Sequence, residues 1–302
     1  MPPTNKAQDL FNVNGLVAVI TGGGSGLGLY AARALDANGA KAVYIVGRRE
    51  ETLKEAAKTA VNGTLKPIVG DVTDKQSLQK MAEQIRNEEG YINLLFANAG
   101  ISGPNHAKDV PDKPTVKDFQ KAVFGSDPQE FTQALHVNNT AVFYTTIAFL
   151  DLLDEGNKKG NIPQDSQVIV TSSVAGFSRF MASSFAYSTS KAAVNHLVKM
   201  LSTYFSQNGF RIRANLIAPG LYPSEMTQGK IKGMQPLGEG KGHDAFSDAY
   251  EAEASMAPAE RTGSEEDFAG TILFLASRAG AYVNGETLLT DGGRLSQLPG
   301  VY

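Results

Sequence analysis

"VITGGGSGLG" (residues 19–28) passes from a β-branched apolar run into a string of glycines within ten residues. The run it completes, "LVAVIT" (16–21), reads as a buried strand, and a helix follows from about Ser25 to Asn38, stopped by Gly39. Glycine permits a tight turn and lets backbone approach a pyrophosphate, which rests on the helix N-terminus. A glycine-rich turn alone is a weak signal, but here it opens the first strand–helix unit, which is the setting that gives it meaning. Gly22, Gly26 and Gly28, with Ser25 and Leu27 between them, are candidate cofactor contacts. No Gly-Lys-Ser/Thr follows, so a P-loop is excluded.

The same alternation continues along the chain. "AVYIV" (42–46), "KPIVGD" (66–71), "INLLFAN" (92–98), "SQVIVTS" (166–172), "IRANLIAP" (212–219) and "ETLLTD" (286–291) read as six further strands. Glu50 to Thr59 reads as a helix, and "TDKQ" (73–76) as a capping box opening the next one. Near-continuous Val/Ile/Leu runs suit strands buried on both faces, as in a parallel sheet. Strand–helix alternation then implies right-handed crossovers. The expected fold is α/β, a doubly wound seven-stranded parallel sheet (Rossmann fold) with helices on both faces, and residues 1–302 form one domain.

Bulk composition excludes several other classes. Apolar residues make up 42% and charged residues 20%, an ordinary globular balance. A net charge of −3 gives no basic field for nucleic acid or anionic lipid. Cysteine is absent, which removes disulfides, thiolate zinc sites and cysteine nucleophiles. The start "MPPTNKAQDLFNVNG" lacks an apolar signal core, and no run approaches the roughly 20 residues of a membrane helix. A cytoplasmic protein without membrane, nucleic-acid or metal partners is expected.

Two stretches break the rhythm. Residues 101–127 are rich in Pro, Gly and charge and read as an insertion. Residues 221–258, with "GEGKG" at 238–242, are poor in strand formers and read as a substrate lid. Both follow strand C-terminal ends, where ligands sit in such sheets.

The second strand ends "VGRRE" (46–50). An acidic residue at that place would bond a ribose 2′-hydroxyl. Here Gly47 occupies it, and Arg48 and Arg49 follow. A guanidinium pairs with a 2′-phosphate that a carboxylate would repel. The cofactor expected is NADP(H).

In these motifs the chain resembles the short-chain dehydrogenase/reductase family, in its single-domain, ketoreductase-like branch. "TGGGSGLG" matches the family's TGxxxGxG turn, and "YSTSK" (187–191) its YxxxK. "GDV" (70–72) matches the acidic residue that holds adenine, here Asp71 beside Val72. "ANAG" (97–100) matches NNAG with Ala97 for Asn, which brings Asn98, Ala99 and Gly100 to the cofactor. "VNN" (137–139) carries the tetrad asparagine as Asn138, and "VTSSVAG" (170–176) the catalytic serine as Ser173, with Ser172 beside it as the alternative. Ser173 lies fourteen residues before Tyr187, one more than the commonest family spacing. "APG" (218–220) follows the sixth strand and "LLTDGG" (288–293) matches the last. The resemblance puts Pro219, Gly220, Leu221 and Ser224 against the cofactor.

Tyr187 and Lys191 share a helical face, because Val194, Leu197, Val198, Leu201 and Phe205 extend one apolar stripe over 187–208. The resemblance makes Tyr187 the general acid toward a carbonyl reduced by NADPH, and Ser173 the donor to its oxygen. Lys191 holds the ribose and favours the phenolate, and Asn138 holds a relay water. For that work the Tyr187 pKa is expected to fall by roughly 3 units from 10. The partner implied is a small-molecule carbonyl or alcohol substrate. An NADP-bound lyase or isomerase, and a catalytically idle NADP-binding protein, are the alternatives. Phe177, Phe180, Met181, Tyr222, Met226, Met234, Phe246 and Tyr250 are candidate pocket walls, and Arg179 a candidate contact for an anionic substrate. A homo-oligomer, dimer or tetramer, is implied through helices at about 128–152 and 185–208. Ala141, Phe143, Tyr144, Phe149, Val198, Leu201 and Phe205 are the apolar residues named for that contact.

Overall fold

The computed structural model describes residues 4–181, 184–237 and 248–301. Its seven strands are β1 (Val17–Thr21), β2 (Ala42–Gly47), β3 (Leu65–Val69), β4 (Leu94–Ala97), β5 (Gln167–Thr171), β6 (Arg213–Pro219) and β7 (Thr287–Thr290). They form one parallel sheet in the order β3-β2-β1-β4-β5-β6-β7. Each lies where its apolar run predicts it, to within a residue or two.

The continuous runs have a physical cause. In a strand, successive side chains face opposite ways. Val17 and Val19 enter one core with Tyr44, Val46 and Phe205. Ala18 and Ile20 enter the other with Val43, Ile45 and Phe268. A strand covered by helices on both sides has no face left for polar residues.

Strand order reverses between β1 and β4. The chain winds outward through β2 and β3, then returns to lay β4 on the other side of β1. Crossovers on either side of that point leave a crevice at the strand C-terminal ends. The functional groups collect there.

Two local expectations are corrected. The helix predicted to open on a capping box at 73–76 begins at Lys75. Asp74 is its cap and accepts from the Gln76 amide, so a one-residue carboxylate replaces the four-residue box. The insertion 101–127 contains a helix, Val116–Phe124, with a complete capping box between Thr115 and Asp118. It packs inward. The Phe119 ring meets Phe185 edge-on at 6.2 Å, and His106 lies about 6 Å from both Phe131 and Phe185. The Phe185 amide donates to His106 Nδ1 at 3.2 Å. The insertion therefore braces the start of the helix Phe185–Gln207, two residues before Tyr187.

The region after β6 is folded back on itself. Thr227 and Ser224 share hydroxyl bonds, and Pro236 pairs with Tyr250 and Glu251 with Arg261 as isolated antiparallel bridges. "GEGKG" (238–242) and Phe246 of the expected lid lie outside the described residues. The tail returns to the sheet's C-terminal edge: Arg179 N donates to Pro299 O and Val301 N to Phe177 O, each at 2.7 Å.

Candidate active site

The glycine turn is shaped by sterics. Gly26 has φ +51°, in the left-handed region that favours glycine. A Cβ on Gly28 would sit 2.2 Å from the Gly22 carbonyl oxygen, so only glycine lets this helix pack on the turn. Ser25 caps the helix Gly26–Ala37 through its backbone alone, with no side-chain bond to the first-turn amides. Asn98 stiffens the turn from below. Its Nδ2 donates to Thr21 O and Gly22 O at 3.1 and 3.3 Å, and its Oδ1 accepts from Thr171 Oγ1 at 2.9 Å. One side chain thus ties β1, β4 and β5 together at their ends.

A cleft of about 750 Å³ opens above this turn. Of the residues singled out in the sequence, Gly22, Ser25, Gly26 and Leu27 line it at one end, with Arg48, Arg49, Asp71 and Val72. Asn98, Ala99 and Gly100 form its middle. Ser173, Tyr187, Lys191, Pro219, Gly220 and Ser224 line the other end. Three named residues do not line it. Gly28 is buried against Gly22, and Leu221 faces a neighbouring cavity bounded by Arg261 and Asp291. Asn138 lies beneath the cleft, almost fully buried. A long cleft with a glycine cradle at a helix N-terminus fits a dinucleotide.

Asn138 sits in a π-helical turn, His136–Thr140, that interrupts an otherwise α-helical run. The extra residue in such a turn re-aims side chains. Asn138 Oδ1 accepts from Ile101 N at 2.9 Å, and its Nδ2 donates to Ile101 O and Ser190 Oγ, each at 2.9 Å. Ser190 in turn donates to Tyr187 O at 2.7 Å. This chain of bonds joins the segment after β4 to the helix carrying Tyr187.

Both neighbouring serines are buried and line the cleft, but their hydroxyls have different partners. Ser172 is buried and its hydroxyl donates to Asn195 Oδ1. The Ser173 hydroxyl accepts from Ala175 N at 3.2 Å and stands beside the Tyr187 phenol, favouring its ionised form. Burial pushes the Tyr187 phenol up, and the Ser173 hydroxyl pulls it partly back. The fall expected from the sequence counts the charge of the bound oxidised nicotinamide with that of Lys191; for the chain alone burial dominates. Lys191 Nζ donates to Thr171 O at 2.7 Å and stands 5.7 Å from the Tyr187 ring centroid. Burial lowers the Lys191 ammonium to about 8. Asp71 is held below the usual carboxylate range, first by the Thr73 hydroxyl and amide, and further by the Arg48 charge.

Of the pocket walls named from the sequence, Tyr222 and Met226 line the cleft. Phe180 is largely exposed, and Arg179 engages the tail by its backbone. Sequence reading missed Gln133, Ile101, Val137 and Glu225, which also line it. Gln133 and Val137 carry a signal in principle, since they precede Asn138 by one and a half turns and by one residue. Glu225 carries none, because its partner is 176 residues away. Among the described residues there is no acidic, His or Cys cluster suited to a metal ion, and no helix long and apolar enough to cross a membrane.

Known proteins share this arrangement. "Short-chain dehydrogenase/reductase PhomF" of Diaporthe leptostromiformis is 45% identical over 301 residues, covering 99% of this chain and 98% of its own. "Short-chain dehydrogenase/reductase VdtF" of Byssochlamys spectabilis is 42% identical over 316 residues, 98% of each chain. Among solved structures, the Pseudomonas aeruginosa RhlG/NADP active-site complex superposes with a TM-score of 0.75 at 28% identity, over 95% of this chain and 98% of that one. The pattern of the short chain dehydrogenases matches residues 16–235, from the first residue before β1 to the described stem of the post-β6 region. With that span and those relatives, the chain belongs to the short-chain dehydrogenase family.

Proposed function

We propose that this protein is an NADP(H)-dependent carbonyl reductase acting on a hydrophobic biosynthetic ketone, with Tyr187 as the general acid and base. The observation that carries the reading is that Ser173, Tyr187 and Lys191 line one end of the cleft together, with Lys191 buried beside the Tyr187 ring. A 3-oxoacyl-[acyl-carrier-protein] reductase of rhamnolipid biosynthesis and a versicolorin reductase, each 29% identical to this chain, support a biosynthetic ketone. The RhlG/NADP complex and the arginines after β2 support NADP(H).

When bound, the cofactor supplies hydride. The chain's residues do the rest. Arg48 and Arg49 stand where a 2′-phosphate needs cations. Asp71, its carboxylate kept charged, accepts from adenine. Ser173 donates to the substrate oxygen as negative charge develops on it. Tyr187, its phenol raised by burial, holds its proton at neutral pH and gives it to that oxygen. Lys191, near 8, stays mainly charged at pH 7 and sits in a buried site, where its field is poorly screened. That charge offsets the phenolate left after proton transfer. Asn138, through Ile101 and Ser190, fixes the backbone on which these groups ride.

Residues 221–237 and 248–258 act as the lid over this end of the cleft, with Met226 and Tyr222 presenting apolar surface. The chain assembles as a homo-oligomer through its two long helical faces. Phe149, Val198, Leu201 and Phe205, named from the sequence for that contact, are buried in the chain's own core. Tyr144, also named from the sequence, is exposed, and Ile147, Met200 and Tyr204 join it on the outer faces. The decisive experiment is a ketone panel with NADPH and NADH, followed by reduced-nicotinamide absorbance. Oxidation of NADPH dependent on a hydrophobic ketone is expected. Turnover without net cofactor oxidation would point instead to a lyase or isomerase.

A further inference from the structure

The two rims of the cofactor cleft meet at one exposed ion pair. Arg49 stands just after β2 and precedes the helix Glu50–Lys58. Glu225 stands on the segment that leaves β6. Arg49 Nη2 donates to both Glu225 oxygens, at 3.0 and 2.8 Å. Both residues line the cleft, and their side chains are 61% and 58% exposed. The Glu225 segment has other ties to the cofactor side. The Tyr30 hydroxyl donates to Pro223 O at 3.2 Å, and the Ser224 Cβ lies against Gly26. The rim therefore stays near the glycine turn without the ion pair. The pair must serve something other than holding the rim.

We infer that Glu225 is an internal competitor of the cofactor's 2′-phosphate for Arg49, and so sets the affinity and release of NADP(H) but not of NAD(H). This rests on the placing of the 2′-phosphate at Arg48 and Arg49 proposed above. An exposed pair between flexible side chains is weak and opens readily. A phosphate monoester carries between one and two negative charges near neutral pH and pairs bidentately with a guanidinium, so it displaces a carboxylate. Arg49 then turns to the phosphate, and Glu225 is left unpaired beside a like charge. A cofactor with a free 2′-hydroxyl leaves the pair closed and meets neither effect. Glu225 thus weakens only the phosphorylated cofactor. Release of oxidised cofactor limits turnover in many reductases with lids, and a built-in competitor shortens that step.

The test is a fluorescence titration of the full chain with NADPH and with NADH, which needs no substrate and no turnover. Glu225→Gln keeps the side chain's shape and removes its charge. We expect NADPH to bind about three- to tenfold tighter in Glu225→Gln, with NADH changed less than about twofold. NADP+ release by stopped flow slows by a similar factor. In an Arg49→Ala background the Glu225→Gln effect shrinks to the like-charge repulsion alone, and a double-mutant cycle measures the competition as the difference. Equal weakening of both cofactors would make Glu225 a clasp for the rim and overturn the inference. No change for either cofactor would make the pair idle and also overturn it. Arg48→Ala and Arg49→Ala report separately on the phosphate site. If they discriminate NADPH from NADH and Glu225→Gln does not, the competitor role alone fails. If none discriminates, the phosphate assignment fails with it.

Discussion

The floor and the roof of the cleft are held by different kinds of contact. The floor is made of the ends of β1, β4 and β5 and the helix Phe185–Gln207. Its bonds are partly or wholly buried and link separate elements: Asn138 closes both polar groups of Ile101 and reaches the buried Ser190, Asn98 joins three strands, and Lys191 caps Thr171 O. The roof, residues 221–231, is anchored at its base by the Tyr222 ring against Phe268 and by Tyr30, and beyond that has its own hydroxyl bonds, with the exposed Arg49–Glu225 pair at its outer edge. Leaving a buried polar group without its partner costs about 1–3 kcal/mol. An exposed ion pair contributes about 0–1 kcal/mol. One side of the cleft is therefore stiff and the other exchangeable. Reacting groups need fixed positions, so they belong to the stiff side. Entry, exit and cofactor choice need contacts that break, so they belong to the exchangeable one.

The largest effect expected comes from a floor residue whose change leaves packing alone. Tyr187→Phe keeps the ring and removes the proton donor. Turnover should drop by about 10²–10⁴-fold, the usual contribution of a general acid. NADPH affinity by titration should stay within about twofold, because the ring still fills its place. Activity within threefold of the parent would remove Tyr187 from the chemistry and leave the floor a scaffold.

Asn138→Ala tests stiffness itself. It strands the Ile101 amide and carbonyl and removes a donor from Ser190. A loss of about 2–4 kcal/mol in unfolding free energy is expected, read from the denaturant midpoint. Glu225→Gln, on the roof, should leave the midpoint unchanged. If the two variants melt alike, the contrast between floor and roof is wrong.

That contrast also separates what the sequence discloses from what it hides. The strands are legible because burial on both faces forces apolar runs, and the glycine turn because Gly28 has no room for a Cβ. Tyr187 and Lys191 are legible because one helix carries both at a fixed spacing. The Thr115–Asp118 box was written in the insertion, but surrounding Pro and Gly masked its helix. The direction of the Tyr187 shift was not legible. It depends on how completely the fold buries the phenol, and full burial is set by packing rather than by local sequence. The Arg49–Glu225 pair was hidden for a plainer reason, since no local pattern links residues brought together by the topology of the sheet.

The smallest effect lies away from the cleft, where the framework repeats the floor's kind of bond. Asp36 ends the helix after the glycine turn and is fully buried. Its carboxylate accepts from the amides of Val61, Asn62 and Thr64 and from the Thr64 hydroxyl, at 2.7–3.0 Å. Burial opposes the charge, but these donors outweigh it and hold the Asp36 pKa below its ordinary 3.8. The folded state therefore prefers the ionised form. The stabilisation is complete above the ordinary value and fades as pH falls through the lower, folded one. Asp36→Asn keeps the shape, removes the charge and turns one acceptor into a donor. It should cost about 1–2 kcal/mol at pH 7. The difference from the parent should shrink as the pH is taken below about 3.9 and the parent's own carboxylate becomes protonated. Cofactor titrations should not change, because the turn at 61–64 feeds β3 and none of its residues lines the cleft. A variant whose deficit is the same at pH 3 and pH 7 would show that shape, not charge, carries the Asp36 contribution. A variant with altered NADPH affinity would show that the framework on this side is less rigid than the floor.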